Sequence, residues 1–220
     1  MTEADLPVVV VTAVDVESTE PLAGSAGTQV VHRVADPAPL GLAAFAMTTF
    51  ALSVSNANIW PAASFAALAL ALAYGGFAQL LAGMWEFLRK NTFGALAFTS
   101  YGAFWISYYV LVKFVLSGAP ATTDFNVTVG VFLLGWTIFT AYMTIAAFRV
   151  SGAVLLVFVL LTITFVFLTI GAFHPLDHSW TKIGGWVGIA TALAAWYASL
   201  AGVANETFKK VVFPTYPLSR

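Results

Sequence analysis

The sequence predicts an all-α membrane protein whose chain crosses a lipid bilayer six times. Hydrophobic residues make up 60% of the 220 residues, only 9% are charged, and the mean hydropathy is +0.89. A typical soluble domain has roughly 45–50% apolar and about 25% charged residues. This chain therefore has too few polar residues to cover a water-soluble fold, and lipid is the expected solvent for most of it.

Six apolar segments are long enough to cross the membrane as helices. A helix rises about 1.5 Å per residue and the hydrocarbon core is about 30 Å thick, so each crossing needs roughly 20 residues. Each break between these segments has proline, glycine, asparagine or charged residues in it or beside it, and such residues end helices or favour water. The expected spans are residues 40–58, 61–88, 93–117, 128–148, 153–173 and 184–204.

Lysine and arginine predict the orientation of the chain, because they resist translocation and collect in cytoplasmic loops. With six crossings, both ends, the second loop and the fourth loop lie on one side. The basic residues on that side are Arg33, Arg89, Lys90, Arg149, Lys209, Lys210 and Arg220, against Lys113 and Lys182 on the other. We therefore predict a multi-pass protein of the cytoplasmic (plasma) membrane with both termini cytoplasmic.

The same pattern divides the chain into three parts. Residues 1–39 carry six acidic residues, among which a short apolar run at residues 8–11 is set, and we expect an acidic, largely disordered cytoplasmic tail. It ends in an Asp-Pro-Ala-Pro motif. Residues 40–204 form the expected six-helix transmembrane domain, and residues 205–220 form the expected cytoplasmic C-terminal tail.

The residues do not favour an enzyme, a cofactor or a nucleic-acid partner. The sequence lacks HExxH, GxSxG and phosphate-loop motifs, contains no cysteine, and has a net charge of only −1. His174 and His178 have the i,i+4 spacing of a metal pair and lie beside Asp177. A solvated loop explains these three residues as well, so we predict no metal site.

Polar side chains inside the spans are the candidates for a solute path. Their desolvation is costly, so they usually face a bundle interior or a water-filled channel. Gln79 is the strongest candidate, because its amide has four hydrogen-bonding positions that one helix cannot satisfy. Hydroxyl side chains are weaker candidates, since each can bond back to its own helix. They are Thr48, Thr49, Thr99 and Ser100.

Glu86 is a carboxylate inside a predicted span. It stands three residues before Arg89 and four before Lys90, so a helical ion pair at the cytoplasmic interface is one interpretation. A proton relay or a charge in the vestibule of a channel is the other.

Two blocks of residues resemble the acetate uptake transporter family, which includes the SatP/YaaH succinate-acetate permeases and fungal acetate and ammonium-export relatives. The second block runs from Tyr74 to Gly102 and contains Gln79, Glu86 and Asn91. The likeness extends to Pro214. The first block is Asp36, Pro37, Ala38, Pro39, Leu40, Gly41 and Leu42.

This resemblance implies a homo-hexamer in which each protomer contains its own pore. It implies a constriction whose residues match Phe45, Tyr101 and Leu161, and it adds Asn91 to the residues of the path. The substrates that the resemblance implies are acetate and other short carboxylates such as succinate. A channel for ammonia or another small neutral solute, and a membrane scaffold or sensor without flux, remain the alternatives.

The chain departs from the family motif at its first position, where Asp36 replaces asparagine. A carboxylate can still cap the helix N-terminus and oppose its positive dipole end. It would also repel an anion at the cytoplasmic mouth. We therefore expect Asp36→Asn to raise acetate flux.

Overall fold

The computed structural model describes residues 34–118 and 124–218. The predicted acidic tail lies almost entirely outside these ranges. Within them, six helices are long and apolar enough to cross a membrane, which confirms the predicted class and number of spans. They are α1 (Ala38–Asn56), α2 (Ala63–Leu88), α3 (Thr92–Leu116), α4 (Phe125–Ala147), α5 (Gly152–Phe173) and α6 (Ser179–Phe208).

Two helices begin earlier than predicted because an acidic residue caps the first turn. Helix α1 begins at Ala38, whose N–H donates to Asp36 Oδ1 at 3.0 Å. Helix α4 begins at Phe125, and Asp124 Oδ1 accepts hydrogen bonds from Asn126 N at 3.0 Å and Val127 N at 3.1 Å. Such caps satisfy donors that have no partner inside the helix. Hydropathy alone does not detect these polar first turns.

Helix α6 is longer than predicted at both ends. It begins at Ser179, whose N–H donates to Asp177 Oδ1 at 3.0 Å and keeps the pKa of Asp177 below its usual range. It ends at Phe208 because Lys209 has a left-handed backbone with φ of 53°. Residues 205–208, predicted as tail, are therefore helical.

The helices form a ring in which each packs on its neighbours in chain order and α6 returns to α1. The contact between α1 and α6, which closes the ring, is extensive. Glycine makes it possible: a Cβ at Gly185 would collide with the backbone of Ala57, and a Cβ at Gly188 would collide with Ser53. Helices α3 and α4 contact each other less closely, and aromatic side chains fill the space between them. The rings of Phe104 and Phe132, for example, stack at 5.6 Å.

The segment after α6 folds back onto the helix ends, and Asn205 holds it. Asn205 Oδ1 accepts hydrogen bonds from Val212 N at 2.7 Å and Phe213 N at 3.0 Å, while Asn205 Nδ2 donates to Phe213 O at 2.8 Å. About two turns earlier in α6, the Tyr197 hydroxyl donates to Pro214 O at 2.7 Å.

This returning segment completes the N-terminus of α5. Gly152 N donates to Tyr216 O at 2.8 Å, and Ala153 N donates to Thr215 O at 3.2 Å. The first N–H groups of a helix have no partner within the helix, so the segment supplies acceptors that would otherwise be missing. The segment beyond α6 is thus a structural part of the domain rather than a free tail.

We predict that Asn205→Leu destabilises the protein, because it removes three hydrogen bonds at similar side-chain size. At about 1 kcal/mol for each bond, the free energy of unfolding should fall by about 2–3 kcal/mol. The measurements are thermal unfolding in detergent and hydrogen exchange at Val212 and Phe213. Asn205→Asp, which keeps the accepting oxygen, should lose less. Unchanged melting and unchanged amide protection in Asn205→Leu would refute this role.

Candidate functional site

Two cavities lie in series at the centre of the helix ring. We call the side of the domain where α1 begins and α6 ends the proximal side, and the other the distal side. The proximal cavity has a volume of about 80 Å³ and the distal cavity about 50 Å³. Three residues line both of them: Phe45, Tyr101 and Leu161. These are the three residues that the family resemblance assigns to a constriction.

The side chains at this junction are buried and held in place by aromatic packing. Phe45, Tyr101 and Leu161 are each at most 5% exposed. The Tyr101 ring packs against Phe45 at 5.8 Å and Phe158 at 6.0 Å. The hydroxyls of Tyr101 and Thr140 form a hydrogen bond of 2.9 Å. Thr140 therefore fixes the orientation of the ring at the junction, a role that sequence patterns do not reveal.

The proximal cavity combines apolar walls with three polar side chains: Gln79, Glu86 and Asn91. Glu86 is fully buried, and its Oε2 accepts a hydrogen bond from Asn91 Nδ2 at 3.0 Å. Asn91 Oδ1 also accepts from Gly94 N at 3.1 Å and so caps α3. The Oε1 atoms of Gln79 and Glu86 are buried and have no hydrogen-bond partner among the described residues. Each therefore leaves one acceptor free beside this cavity.

Gln79 and Glu86 lie on one face of α2 because they are seven residues apart in its regular α-helical part, and a local change of helix type lies directly before them. Residues Ala73–Ala78 form a π-helical stretch directly before Gln79, and such stretches often mark functional sites. Gly75 lies in this stretch against Thr48 of α1, where a Cβ would collide with the threonine side chain. The π-helical stretch was not predicted from the sequence. The adjacent glycines Gly75 and Gly76 are the signal that could have indicated it.

The interpretation of Glu86 as the partner of Arg89 or Lys90 was wrong. Helix α2 ends at Leu88 and Lys90 has a left-handed backbone, so the chain turns and presents Asn91 to Glu86 instead. Arg89 forms an ion pair with Asp36. The carboxylate of Glu86 thus has an amide partner rather than a cation.

The first-block motif is explained by contacts around the start of α1. Asp36 caps α1 and pairs with Arg89 of the segment after α2. Pro39 O accepts a hydrogen bond from Ser199 Oγ of α6 at 2.7 Å. Gly41 packs against the ring of Phe98, where a Cβ would approach the ring to 2.6 Å. The motif therefore joins α1 to its neighbouring helices at the proximal mouth.

The distal cavity is mostly apolar, but several polar residues lie in its wall. They are Thr49, Ser53, Asn56, Tyr101, Trp105, Tyr108 and Thr164. Thr49 Oγ1 and Trp105 Nε1 are buried and have no hydrogen-bond partner in the described part of the chain. A third cavity continues to the distal surface; it shares Asn56 and Tyr108 with the second and also reaches His178.

The structure separates the predicted polar residues into two groups. Thr49, Gln79 and Asn91 line a cavity, as expected of a path. The other three, Thr48, Thr99 and Ser100, line none of the three cavities in series. Thr48 donates to Ala44 O at 2.9 Å and Thr99 packs against Gly83, so both serve helix packing.

Other residues of the cavity walls were not predicted. Trp105 lines the distal cavity, and Phe158 lines the proximal one. From the sequence alone, an aromatic residue that lines a cavity cannot be distinguished from one that packs between helices. The loop residues His174, Asp177 and His178, for which no metal site was predicted, are exposed. Among the described residues no cluster of three metal-ligating side chains occurs.

Comparison with known proteins identifies relatives over most of the chain. The family model described as the GPR1/FUN34/yaaH family matches residues 20–220. Acetate permease A of Emericella nidulans is 39% identical over 204 residues, which cover 83% of this chain and 66% of that protein. The succinate-acetate/proton symporter SatP of Escherichia coli K12 is 36% identical over 185 residues, which cover 83% of this chain and 95% of SatP.

A solved structure has the same fold. The structure of the bacterial acetate channel SatP aligns with a TM-score of 0.78 at 34% identity, and the alignment covers 83% of this chain and 99% of that chain. The chain thus spans nearly all of the bacterial relative and about two thirds of the fungal one. The family match extends over most of the sequence, and the chain therefore belongs to the GPR1/FUN34/yaaH family.

Proposed function

We propose that the chain is a membrane channel or transporter that moves acetate, and other short carboxylates such as succinate, through the centre of each protomer. The observation that carries this proposal is the junction of the two cavities, where Phe45, Tyr101 and Leu161 meet. Relatives named as an acetate permease and a succinate-acetate/proton symporter support the substrate class.

The chemistry of the path suits a small carboxylate. Apolar walls can bind a methyl group that has lost its hydration water. A narrow apolar junction excludes water and so hinders the passage of hydrated ions. On either side of the junction, donors such as the amide NH₂ of Gln79 and the hydroxyl of Thr49 can replace water at the carboxylate. Acetate, with one methyl and one carboxylate, has one group for each kind of wall.

Orientation and assembly belong to the same proposal. The distribution of lysine and arginine supports a cytoplasmic proximal side and hence cytoplasmic termini in the plasma membrane. Lipid or a second protomer can cover the apolar outer faces of the helices. We propose a homo-hexamer in which every protomer conducts through its own centre.

We predict that residue size at the junction controls acetate flux. Leu161→Trp and Phe45→Trp should reduce the uptake of radiolabelled acetate into proteoliposomes by at least about tenfold, because each fills the junction, which adds about 1.4 kcal/mol or more to the barrier. Leu161→Ala should increase it. The control is Leu156→Trp, on the same helix but 52% exposed on its outer face, which should conduct like the wild type.

The same vesicles separate the alternative functions. Wild-type uptake no higher than that of empty liposomes would refute acetate transport and favour a scaffold or sensor. Ammonium gradients that collapse faster than acetate gradients, followed by an internal pH dye, would favour an ammonia channel instead. Equal flux in Leu161→Trp and Leu156→Trp would show that the junction is not the path.

We predict that the ion pair between Asp36 and Arg89 tunes the charge of the proximal mouth. Because Arg89 offsets the carboxylate, Asp36→Asn leaves one uncompensated positive charge there and should raise acetate entry about twofold at low ionic strength. Arg89→Gln should lower it, and the double variant should return close to the wild type. Rates are compared at about 10 mM and about 200 mM salt, where screening should remove the differences. Four proteins with identical rates at low salt would contradict this prediction.

A further inference from the structure

We propose that residues 209–218 form a strap that positions α5 in the wall of the central path, and that Asn205 and Tyr216 thereby influence transport without lining the path. This inference rests on the proposed function and adds to it two positioning residues. It begins from the course of the chain after α6. The strap runs from the end of α6 to the start of α5 and is hydrogen-bonded to both.

The strap holds the turn between α4 and α5 through backbone hydrogen bonds. Leu218 N donates to Val150 O at 3.2 Å. Gly152 N donates to Tyr216 O at 2.8 Å. Among the described residues, the hydrogen bonds that tie residues 148–153 to a part of the chain outside α4 and α5 all come from the strap. The position of this turn therefore depends on the strap.

The turn leads directly into the part of α5 that faces the path. Val150 and Val154 line the proximal cavity. Leu161, about two turns further along the helix, lies at the junction with Phe45 and Tyr101. Because a helix is a stiff element, a shift at its first turn can be carried along to the residues beyond it. The strap is thus connected to the junction through a single helix.

The local backbone shows that the strap is held closely against the turn. Tyr216 has a left-handed backbone with φ of 55°, which is unusual for a residue with a side chain. Its side chain is 66% exposed, so side-chain burial contributes little to this conformation. Gly152 allows the close approach, because a Cβ there would lie only 3.2 Å from Tyr216 Cβ. At the other end, Asn205 holds the strap with three hydrogen bonds.

Loss of the strap should loosen the path rather than close it. Without the strap, the first two N–H groups of α5 lose their acceptors and the first turn of the helix is free to fray. The wall at Val150 and Val154 then moves outward, which favours larger solutes. The ratio of butyrate to acetate uptake should therefore rise, whereas a role in folding alone would lower both rates together.

The test is this uptake ratio in proteoliposomes, with the rates of empty liposomes subtracted. Asn205→Leu releases the strap at α6 and should raise the ratio about threefold, while Asn205→Asp, which keeps the accepting oxygen, should raise it less. Tyr216→Val should act like Asn205→Leu, because a β-branched residue disfavours the left-handed backbone. Tyr216→Gly is the matched control, since glycine adopts this backbone freely and should keep the wild-type ratio.

A removable disulfide separates positioning from folding. Ser151 and Pro217 lie opposite each other as an antiparallel pair. The hydrogen bonds on either side of this pair make it the type whose Cα atoms are about 4.5 Å apart, a distance that a disulfide spans. The chain contains no cysteine, so Ser151→Cys with Pro217→Cys introduces a single possible disulfide. Combined with Asn205→Leu, the oxidised protein should keep the wild-type ratio, and reduction in the same vesicles should raise it about threefold.

The outcomes distinguish this inference from the proposed function. The wild type lacks cysteine and should not respond to the reductant. If the wild type conducts acetate but reduction leaves the ratio unchanged, or the disulfide does not form, the strap is refuted as a positioning element while the proposed function stands. The same holds if Tyr216→Val lowers both rates equally or changes neither, and this variant covers the case in which Asn205→Leu folds poorly. Wild-type vesicles without acetate uptake would instead refute the proposed function.

Discussion

Inside a bilayer, a polar side chain has only the helix bundle or the solute path for a partner, because lipid offers no hydrogen bonds. This constraint orders the interior of the protein. Most buried hydroxyls bond to their own helix or to a neighbour, as Thr140 does with Tyr101. Among the described residues, the buried side-chain atoms left without a partner belong to Thr49, Gln79, Glu86, Thr99 and Trp105. All of these except Thr99 belong to residues that line the two central cavities.

The close packing of small residues makes those cavities possible. Where a glycine faces a neighbouring helix, as Gly83 faces Thr99, the backbones approach closely and the outer part of the ring is sealed. Large aromatic side chains fill the wider gap between α3 and α4, and those of α4 pack against the Tyr101 ring at the junction. The path therefore lies where packing changes from small residues to aromatic ones.

Hydropathy predicted the six spans because length and apolar content alone decide whether a helix crosses a membrane. It could not locate the first turn of α6, where polar residues such as Lys182 continue a helix, nor the π-helical stretch before Gln79, which has no hydropathy signal. The family motif indicated Phe45 and Tyr101, and counting along the chain added Leu161. Whether Thr48 or Thr49 lines a cavity depends on which face α1 turns to the centre of the ring. The two residues are adjacent in sequence, yet Thr48 packs against a neighbouring helix and Thr49 lines the distal cavity. Trp105 was missed because a tryptophan in a span is usually packing, and its unpaired N–H is visible only in three dimensions.

The order of the groups along the path has an energetic consequence. Moving a carboxylate out of water costs several kcal/mol even after the protein relaxes, and each hydrogen bond to a charged group returns about 1.5–3 kcal/mol. A few hydrogen-bond donors along the proposed path could thus offset much of that cost without exceeding it by a wide margin. At the junction of Phe45, Tyr101 and Leu161 the carboxylate has only apolar side chains and one already bonded hydroxyl beside it. In the proposed path the barrier to an anion is therefore concentrated at this junction, and a short apolar tail that packs against these rings should lower it for acetate more than for an ion without one.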